Sequence, residues 1–323
     1  NSFLGNTQTK TVHLPYDAMI HEARTPDTKN GAQTGFYPGG EYIFQKHFTA
    51  PQAWQGKPVS LVFEGVYQTA LVYLNGWLLT RNVNGYAEFT VEAGPYLKYG
   101  ADNLLKVIAD NSLEPNSRWY TGSGIYRPAR LLVGNKVYLP QDTVRITTRE
   151  ADEGFALLDV TAQVQSASTV TERVTLQQTI CREGTAVLTD RQNLLLQPGE
   201  SRTVSFRYCV DSPALWSPEN PNLYTSTMQV LEGEEELDRE ETGFGIRTLS
   251  IDAAHGVRIN GQTVKLRGAC IHHDNGLLGA VCHPDAVRRK VRILHQLTQP
   301  ADHPVSIYHP EGEYLKGLVL YVE

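Results

Sequence analysis

Histidines gather towards the end of the sequence, where they could bind a metal ion. Seven of the ten lie between residues 255 and 309, and His272-His273-Asp274 places three potential ligands in a row. Adjacent ligands do not match a recognised zinc spacing, and the sequence contains no His-Glu-x-x-His motif. We therefore predict no protein-built metal site and no bound cofactor.

Arg118 and Trp119 are a second candidate for ligand binding. A planar guanidinium donates several hydrogen bonds to oxygen atoms, and a flat indole packs against the face of another ring. Two interpretations stay open. These side chains bind a ligand rich in hydroxyl groups, or Trp119 and Tyr120 bury area where two domains pack.

Carboxylates and thiols form no evident catalytic group elsewhere. Glu64, Asp110 and Asp274 have no carboxylate partner that the sequence identifies, so we expect solvated or hydrogen-bonded roles for them. The four cysteines are too few and too scattered for a disulfide framework. We expect mostly buried free thiols, and a Cys181–Cys209 pair stays open in case two strands bring these residues together.

Charge and hydropathy argue against two classes of function. A formal net charge of −6 argues against nucleic-acid binding, which normally needs a basic excess. The longest apolar runs are strand-sized, far below the roughly 20 residues of a membrane span. The sequence starts at Asn1 without a basic-then-apolar leader. We expect a soluble protein, and the compartment, cytoplasmic or exported, stays open.

Residues 1–135 have the pattern of an all-β domain. The strand-like runs are 42–48, 59–63, 70–74 and 104–109. Asn75-Gly76, flanked by β-rich runs, is a strong signal for a hairpin. Short strands separated by turns predict a sandwich or jelly roll.

Residues 136–247 repeat the β pattern with clearer alternation of apolar and polar residues. The strand-like runs are 155–160, 173–177, 202–206 and 225–230. About 110 residues of this kind are typical of an immunoglobulin-like sandwich. We interpret the acidic run from Glu232 to Glu241 as a solvated hairpin tip with Gly233 in the turn, and Trp216 as a core residue.

A different pattern begins at residue 248. A hairpin at 257–262 and a strand at 264–271 precede a helix at 284–294, along which apolar residues recur every three or four positions. Strand, loop and amphipathic helix form the opening unit of an α/β domain. Residues 298–323 stay unassigned.

Six short segments carry a recognisable order. They are 38–40 (Pro-Gly-Gly), 63–76, 111–128 with Ser-Arg-Trp-Tyr-Thr-Gly-Ser-Gly-Ile-Tyr-Arg-Pro, 215–224, 243–247 (Gly-Phe-Gly-Ile-Arg) and 266–268. In this order they resemble the N-terminal part of glycoside hydrolase family 2, most of all its β-galactosidase branch. The resemblance covers roughly residues 36–296, and its strength comes from the order of all six segments.

The resemblance implies a mainly β chain in three parts. These are a jelly-roll sugar-binding domain at 1–135, an immunoglobulin-like sandwich at 136–247, and the beginning of a (β/α)8 barrel at 248–297 that is incomplete. It also implies that His272 matches the histidine that hydrogen-bonds the substrate sugar, and that Arg118 and Trp119 lie in a loop reaching towards the barrel mouth. We therefore predict a β-galactoside-like carbohydrate ligand.

Catalysis by this chain alone is not expected. A retaining glycosidase needs two carboxyl groups about 5–5.5 Å apart, and the resemblance implies two glutamates late in the barrel, the acid/base following an asparagine. A barrel takes about 250 residues, whereas 76 residues follow position 247 and contain no Asn-Glu pair. The intact parent would hydrolyse terminal β-linked sugars. Truncation, a garbled stretch, or residues absent from the sequence after Gln296 would each account for the tail.

Two further hypotheses stay open. The chain could be a non-catalytic carbohydrate-binding or assembly module, since a fold does not determine a function. It could also associate with itself or with a chain that carries the rest of the barrel. Sugar specificity within the family and oligomeric state are open as well.

Overall fold

The computed structural model describes residues 9–113, 116–265, 272 and 274–298. Within them the chain forms 18 strands and one α-helix, which confirms the predicted mainly β class. The chain divides into two compact units. The first comprises residues up to 133 together with 271–290, and the second comprises residues 134–270 and those after 290.

The first unit contains seven strands in two antiparallel sheets. The strands are β1 (Glu41–Thr49), β2 (Val59–Phe63), β3 (Thr69–Leu74), β4 (Trp77–Asn82), β5 (Phe89–Glu92), β6 (Asp102–Asp110) and β7 (Ala129–Val133). One sheet has the order β1-β6-β3-β4 and the other has the order β5-β2-β7. Phe63 of one sheet and Leu74 and Val107 of the other belong to one buried core, so the two sheets form a sandwich. The four runs predicted from the sequence all lie in these strands.

The hairpin between β3 and β4 shows why the Asn75-Gly76 pair was sufficient to predict a turn at this position. Asn75 and Gly76 have φ values of 53° and 91°, as a type I′ turn requires at both central positions. The Asn75 amide also donates to Asn103 Oδ1 at 2.8 Å and accepts from Leu104 N at 3.1 Å. Asn75 thus tolerates the left-handed backbone and ties the turn to β6.

The second unit contains a second pair of antiparallel sheets. The strands are β8 (Val137–Tyr138), β9 (Arg145–Ala151), β10 (Phe155–Ser166), β11 (Glu172–Arg182), β12 (Thr185–Leu196), β13 (Ser201–Asp211), β14 (Tyr224–Glu232) and β15 (Glu235–Phe244). One sheet joins β13, β10, β8 and β9, and the other has the order β12-β11-β14-β15. Leu158, Leu176 and Met228 lie fully buried in their common core. Alternating burial along β13 matches the predicted pattern.

The acidic run at 232–241 differs from its prediction. Gly233 does lie in the turn, with φ of 62°, but Glu235–Phe244 forms strand β15 rather than a hairpin tip. This strand is at the edge of its sheet. Charged side chains on an edge strand discourage pairing with another chain, so the acidic composition suits a strand in this position.

The last described residues form a small sheet and a helix. The elements are β16 (Leu249–Asp252), β17 (Gly256–Ile259), β18 (Gln262–Thr263) and α1 (Pro284–Thr298). The predicted hairpin and helix are confirmed, whereas most of the predicted strand at 264–271 and the tail after 298 lie outside the described residues. No repeated strand–helix unit that would identify a barrel is evident in the described part. No helix there is long and apolar enough to cross a membrane.

The cysteines differ from expectation in one respect. Cys181, Cys209 and Cys282 are free thiols, so Cys181 and Cys209 do not pair, and Cys270 lies outside the described residues. Cys209 is exposed, because its neighbours along β13 point into the core and the pleat turns Cys209 outwards. The expectation of mostly buried thiols is therefore wrong.

Trp216 is confirmed as a core residue, and it packs closely against the backbone at Gly245. It is 8% exposed, and the Arg247 guanidinium lies 4.6 Å from the centre of its ring. A Cβ added to Gly245 would lie 2.7 Å from Trp216 Cβ and Cγ. Glycine at position 245 therefore makes room for the indole.

We predict that Gly245→Ala destabilises the chain by about 1–3 kcal/mol, because the added methyl overpacks Trp216. Gly243→Ala is the matched control, since a Cβ there meets nothing within 4 Å. Its effect should stay below about 1 kcal/mol. Urea unfolding of both variants measures the difference. Equal destabilisation would contradict the steric account.

Candidate functional site

The structure brings together two of the three predicted site residues. The Trp119 indole and the His272 imidazole stack, with ring centroids 4.5 Å apart and planes 22° from parallel. His272 is exposed and Trp119 is half-buried. The half-buried indole offers a flat ring face for stacking, and the exposed imidazole offers nitrogens for hydrogen bonding.

Arg118 precedes this pair in the chain and is exposed. Among the described residues, no hydrogen bond or ion pair engages its guanidinium. Its five N–H donors suit hydrogen bonds to ligand oxygens. Arg118 adjoins Trp119 through the backbone but does not take part in the ring contact.

Local hydrogen bonds hold the backbone on which Trp119 stands. Ser117 Oγ donates to the Trp119 carbonyl at 2.7 Å and accepts from Trp119 N at 3.3 Å. Ser117 N in turn donates to Asn116 Oδ1 at 2.9 Å. Serine and asparagine side chains stabilise turns through such bonds to nearby backbone.

A buried amide joins the two ends of the same loop. Asn111 is fully buried, and its Nδ2 donates to the Gly122 carbonyl at 3.1 Å and to Ser123 Oγ at 2.8 Å. Its Oδ1 accepts from Asn116 Nδ2 at 2.8 Å. Because buried polar groups need partners, these bonds restrain the loop that carries Trp119.

A buried carboxylate lies next to this amide network. Asp17 is fully buried and accepts four hydrogen bonds. Met19 N and Ser123 N donate to Oδ1 at 3.0 and 2.9 Å. Tyr120 Oη and Ala280 N donate to Oδ2 at 2.6 and 2.8 Å. These four donors offset the cost of removing the carboxylate from water.

Two tyrosines of the first unit, Tyr120 and Tyr126, stay protonated. Burial, followed by the negative charge of Asp17, raises the pKa of Tyr120 far above its usual range. Burial also raises the pKa of Tyr126 to about 12, and its hydroxyl donates to the Gly85 carbonyl at 2.9 Å. Both phenols therefore act as hydrogen-bond donors.

The segment that contains His272 has its own restraints. Asn275 N donates to the Gly279 carbonyl at 2.7 Å, and Asn275 Nδ2 donates to the Val281 carbonyl at 2.8 Å. Lys290 Nζ of α1 donates to the His272 carbonyl at 3.1 Å and to the Asp274 carbonyl. Lys290 of the helix thus restrains the backbone at His272 and Asp274.

The remaining candidates take structural roles. Glu64 is buried and pairs with Arg130 at 3.1 Å, and Asp110 accepts from Ser112 N at 2.9 Å. Asp274 is exposed. These outcomes agree with the solvated or hydrogen-bonded roles expected for the three carboxylates. The described residues contain no group of three or more side chains that could hold a metal ion.

Asp17 is the residue that sequence reasoning missed. Its partners lie 103 to 263 positions away, apart from Met19, and no local pattern encodes such pairings. The available signal was an acidic residue inside the otherwise apolar run 14–20, because a carboxylate that is buried with such a run needs hydrogen-bond donors.

The chain forms two antiparallel sandwiches in sequence, and the first unit carries a stacked tryptophan–histidine pair outside its strands. These features define a class of modular β-sandwich protein. Residues 11–156 match the glycosyl hydrolase 2 galactose-binding domain-like family, and residues 137–247 match glycosyl hydrolases family 2. The chain belongs to glycoside hydrolase family 2 and carries its N-terminal sugar-binding and immunoglobulin-like domains.

Relatives and solved structures agree with this assignment. A β-galactosidase from Bacteroides ovatus is 34% identical over 289 residues, which are 89% of this chain and 34% of the relative. A β-glucuronidase from Formosa agariphila is 26% identical over 275 residues, which are 77% of this chain and 28% of that protein. A family 2 glycosyl hydrolase structure from Bacteroides cellulosilyticus has a TM-score of 0.83 at 32% identity and covers 92% of this chain and 39% of that one. The chain thus spans about a third of the length of the curated relatives it matches.

We predict that Asn111→Ala destabilises the chain by about 2–4 kcal/mol, because buried partners such as Ser123 Oγ and the Asn116 amide lose hydrogen bonds. Asn84→Ala is the matched control, since its exposed side chain accepts from Tyr86 N and Ala87 N and water can replace it. The control should cost about 1 kcal/mol or less. Thermal unfolding compares them, and an effect of Asn111→Ala as small as the control's would contradict the role of the buried amide.

Proposed function

We propose that this chain is the N-terminal part of a retaining, β-galactosidase-like glycosidase that hydrolyses terminal β-linked sugars. The observation that carries the proposal is the stack of Trp119 on His272, with Arg118 next to Trp119 in the chain. The name of the Bacteroides ovatus relative, a β-galactosidase, supports a galactoside as the sugar. Carbohydrate is accordingly the proposed ligand.

The proposed domain limits follow the change in sequence pattern. They are a jelly-roll sugar-binding domain at 1–135, an immunoglobulin-like sandwich at 136–247, the beginning of a (β/α)8 barrel at 248–297, and an unassigned tail at 298–323. Helix α1, at the place where a first barrel helix is expected, supports the third part.

In this proposal the chain contributes sugar contacts to the reaction. The face of Trp119 opposite His272 stacks on the apolar face of a pyranose. A ring nitrogen of His272 hydrogen-bonds a sugar hydroxyl, and Arg118 donates to further hydroxyls. Hydrolysis with retention also needs a nucleophile and an acid/base carboxyl group. We assign these to a glutamate pair from the rest of the parent protein.

The sugar contact is tested by binding of isopropyl thio-β-galactoside, which resists hydrolysis, to the 323-residue chain. Trp119→Ala and His272→Gln should each weaken binding about tenfold, the equivalent of about 1.4 kcal/mol. Trp77→Ala is the matched control, since Trp77 of the same unit is 65% exposed and lies outside the pair. Ligand-observed NMR gives the affinities. Unchanged affinity in both site variants would contradict the proposal.

Catalysis is tested separately. The purified 323-residue chain should release no nitrophenol from nitrophenyl β-galactoside above the rate in buffer, because the two carboxyl groups of the mechanism are assigned to residues outside it. Measurable turnover that follows the protein through purification would overturn this assignment.

A second candidate function is a non-catalytic carbohydrate-binding module. It is favoured by the fact that Arg118 and Trp119 both lie within residues 11–156, which match the galactose-binding domain-like family. Galactoside binding that survives removal of the residues after 247 would favour a module whose sugar site excludes His272. Loss of binding on that deletion would favour the site proposed above.

A further inference from the structure

We propose that Asp17 is a positioning residue whose buried carboxylate holds Trp119 against His272. The consequence for sugar binding rests on the proposed function, but the geometric claim stands without it. All of the residues involved belong to the first compact unit.

The first step concerns the loop that carries Trp119. Tyr120, the next residue, donates its hydroxyl to Asp17 Oδ2 at 2.6 Å, and Ser123 N donates to Oδ1 at 2.9 Å. The loop is therefore attached to the carboxylate at two points within four residues of the indole. The backbone at Trp119 cannot shift without breaking or stretching charge-assisted hydrogen bonds, which are stronger than neutral ones.

The second step concerns the segment that carries His272. Ala280 N donates to Asp17 Oδ2 at 2.8 Å, and the preceding Gly279 carbonyl accepts from Asn275 N at 2.7 Å. The carboxylate thus also anchors the backbone that leads back to His272. One oxygen atom, Oδ2, receives both Tyr120 from the indole side and Ala280 from the imidazole side.

The third step is steric. Gly122 and Gly279 have φ values of 69° and 60°, and a Cβ added to Gly122 would lie 2.6 Å from Asp17 Oδ2. A Cβ on Gly279 would meet the same oxygen. Glycine at both positions lets the two segments approach one carboxylate closely. Both segments must come this close to Asp17 if its carboxylate is to hold them together.

The difference between a carboxylate and an amide makes Asp17→Asn a suitable test of the anchor. Ionised aspartate accepts at both oxygens, whereas an asparagine amide accepts at one atom and donates at the other. In Asp17→Asn, an amide oxygen that faces Met19 N and Ser123 N leaves the NH2 group pointing at Ala280 N, which is also a donor. The opposite orientation points the NH2 group at Met19 N and Ser123 N, which are donors as well. In either orientation the variant keeps the shape of the side chain but loses bonds to one of the two segments, and the shared anchor is broken.

The experiment uses the 323-residue chain labelled with 13C-histidine. Stacking on an indole moves imidazole proton resonances upfield through the ring current, and Trp119→Ala gives the unstacked reference for His272. In Asp17→Asn the His272 resonances should move to this reference while the far-ultraviolet circular dichroism stays β-rich. Retention of the wild-type His272 shift in Asp17→Asn would overturn the positioning role.

Asp102→Asn is the matched control. Asp102 is an exposed carboxylate of the same unit, 2.7 Å from His47 Nδ1, so this variant should move the His47 resonances and leave those of His272 in place. If Asp17→Asn fails to fold, Tyr120→Phe replaces it, because this change removes one donor and keeps the ring. A partial move of His272 in Tyr120→Phe supports the proposal, and an unmoved His272 overturns it.

Binding of isopropyl thio-β-galactoside separates the two claims. If the pair binds sugar, Asp17→Asn should lower the affinity about as much as Trp119→Ala, an expected loss of about tenfold. If His272 moves in Asp17→Asn while Trp119→Ala leaves the affinity unchanged, the positioning role is supported and the proposed function fails.

Discussion

A carboxylate taken out of water has to be supplied with hydrogen-bond donors, and the loops of the first unit are arranged around this requirement at Asp17. Its two oxygens accept from backbone N–H groups and a phenol that belong to segments far apart in the sequence. Removing such a carboxylate leaves its former donors buried without a hydrogen-bond acceptor, which costs free energy of folding. The contact between Trp119 and the exposed His272 therefore depends on a buried polar network.

The strands of the same unit are stabilised by the burial of apolar side chains rather than by polar contacts. Phe63, Leu74 and Val107 lie in a core of buried apolar side chains shared by two sheets, and burial of such groups is the main favourable term in folding. Loops on such a scaffold are free to carry polar residues, and binding groups are accordingly common there. Trp119, Arg118 and Asp17 all lie outside the strands.

Most of the strands could be predicted because their determinants are local. Asn75 and Gly76 encode a type I′ turn by their own conformational preferences, and alternation along β13 encodes one buried face. The acidic strand β15 was mistaken for a hairpin tip because an edge position, which accommodates its charges, is decided by the order of strands in the sheet. The exposure of Cys209 was missed for a similar reason, because the side of the sheet on which a thiol lies depends on how its strand packs.

The candidate site could be predicted only in part. Arg118 and Trp119 follow from a motif in one segment, and His272 from a motif in another, but nothing in either segment states that the two rings touch. That contact depends on Asp17, Tyr120 and Ala280, whose hydrogen bonds link the start, middle and end of the described chain. Long-range polar pairing of this kind leaves no periodic pattern in a sequence.

The most direct test of the central claim is a crystal structure of the 323-residue chain with isopropyl thio-β-galactoside. The account predicts a pyranose ring stacked on Trp119, with a hydroxyl within hydrogen-bond distance of an imidazole nitrogen of His272. A sugar bound elsewhere on the chain, with the Trp119–His272 pair in place and unoccupied, would contradict it.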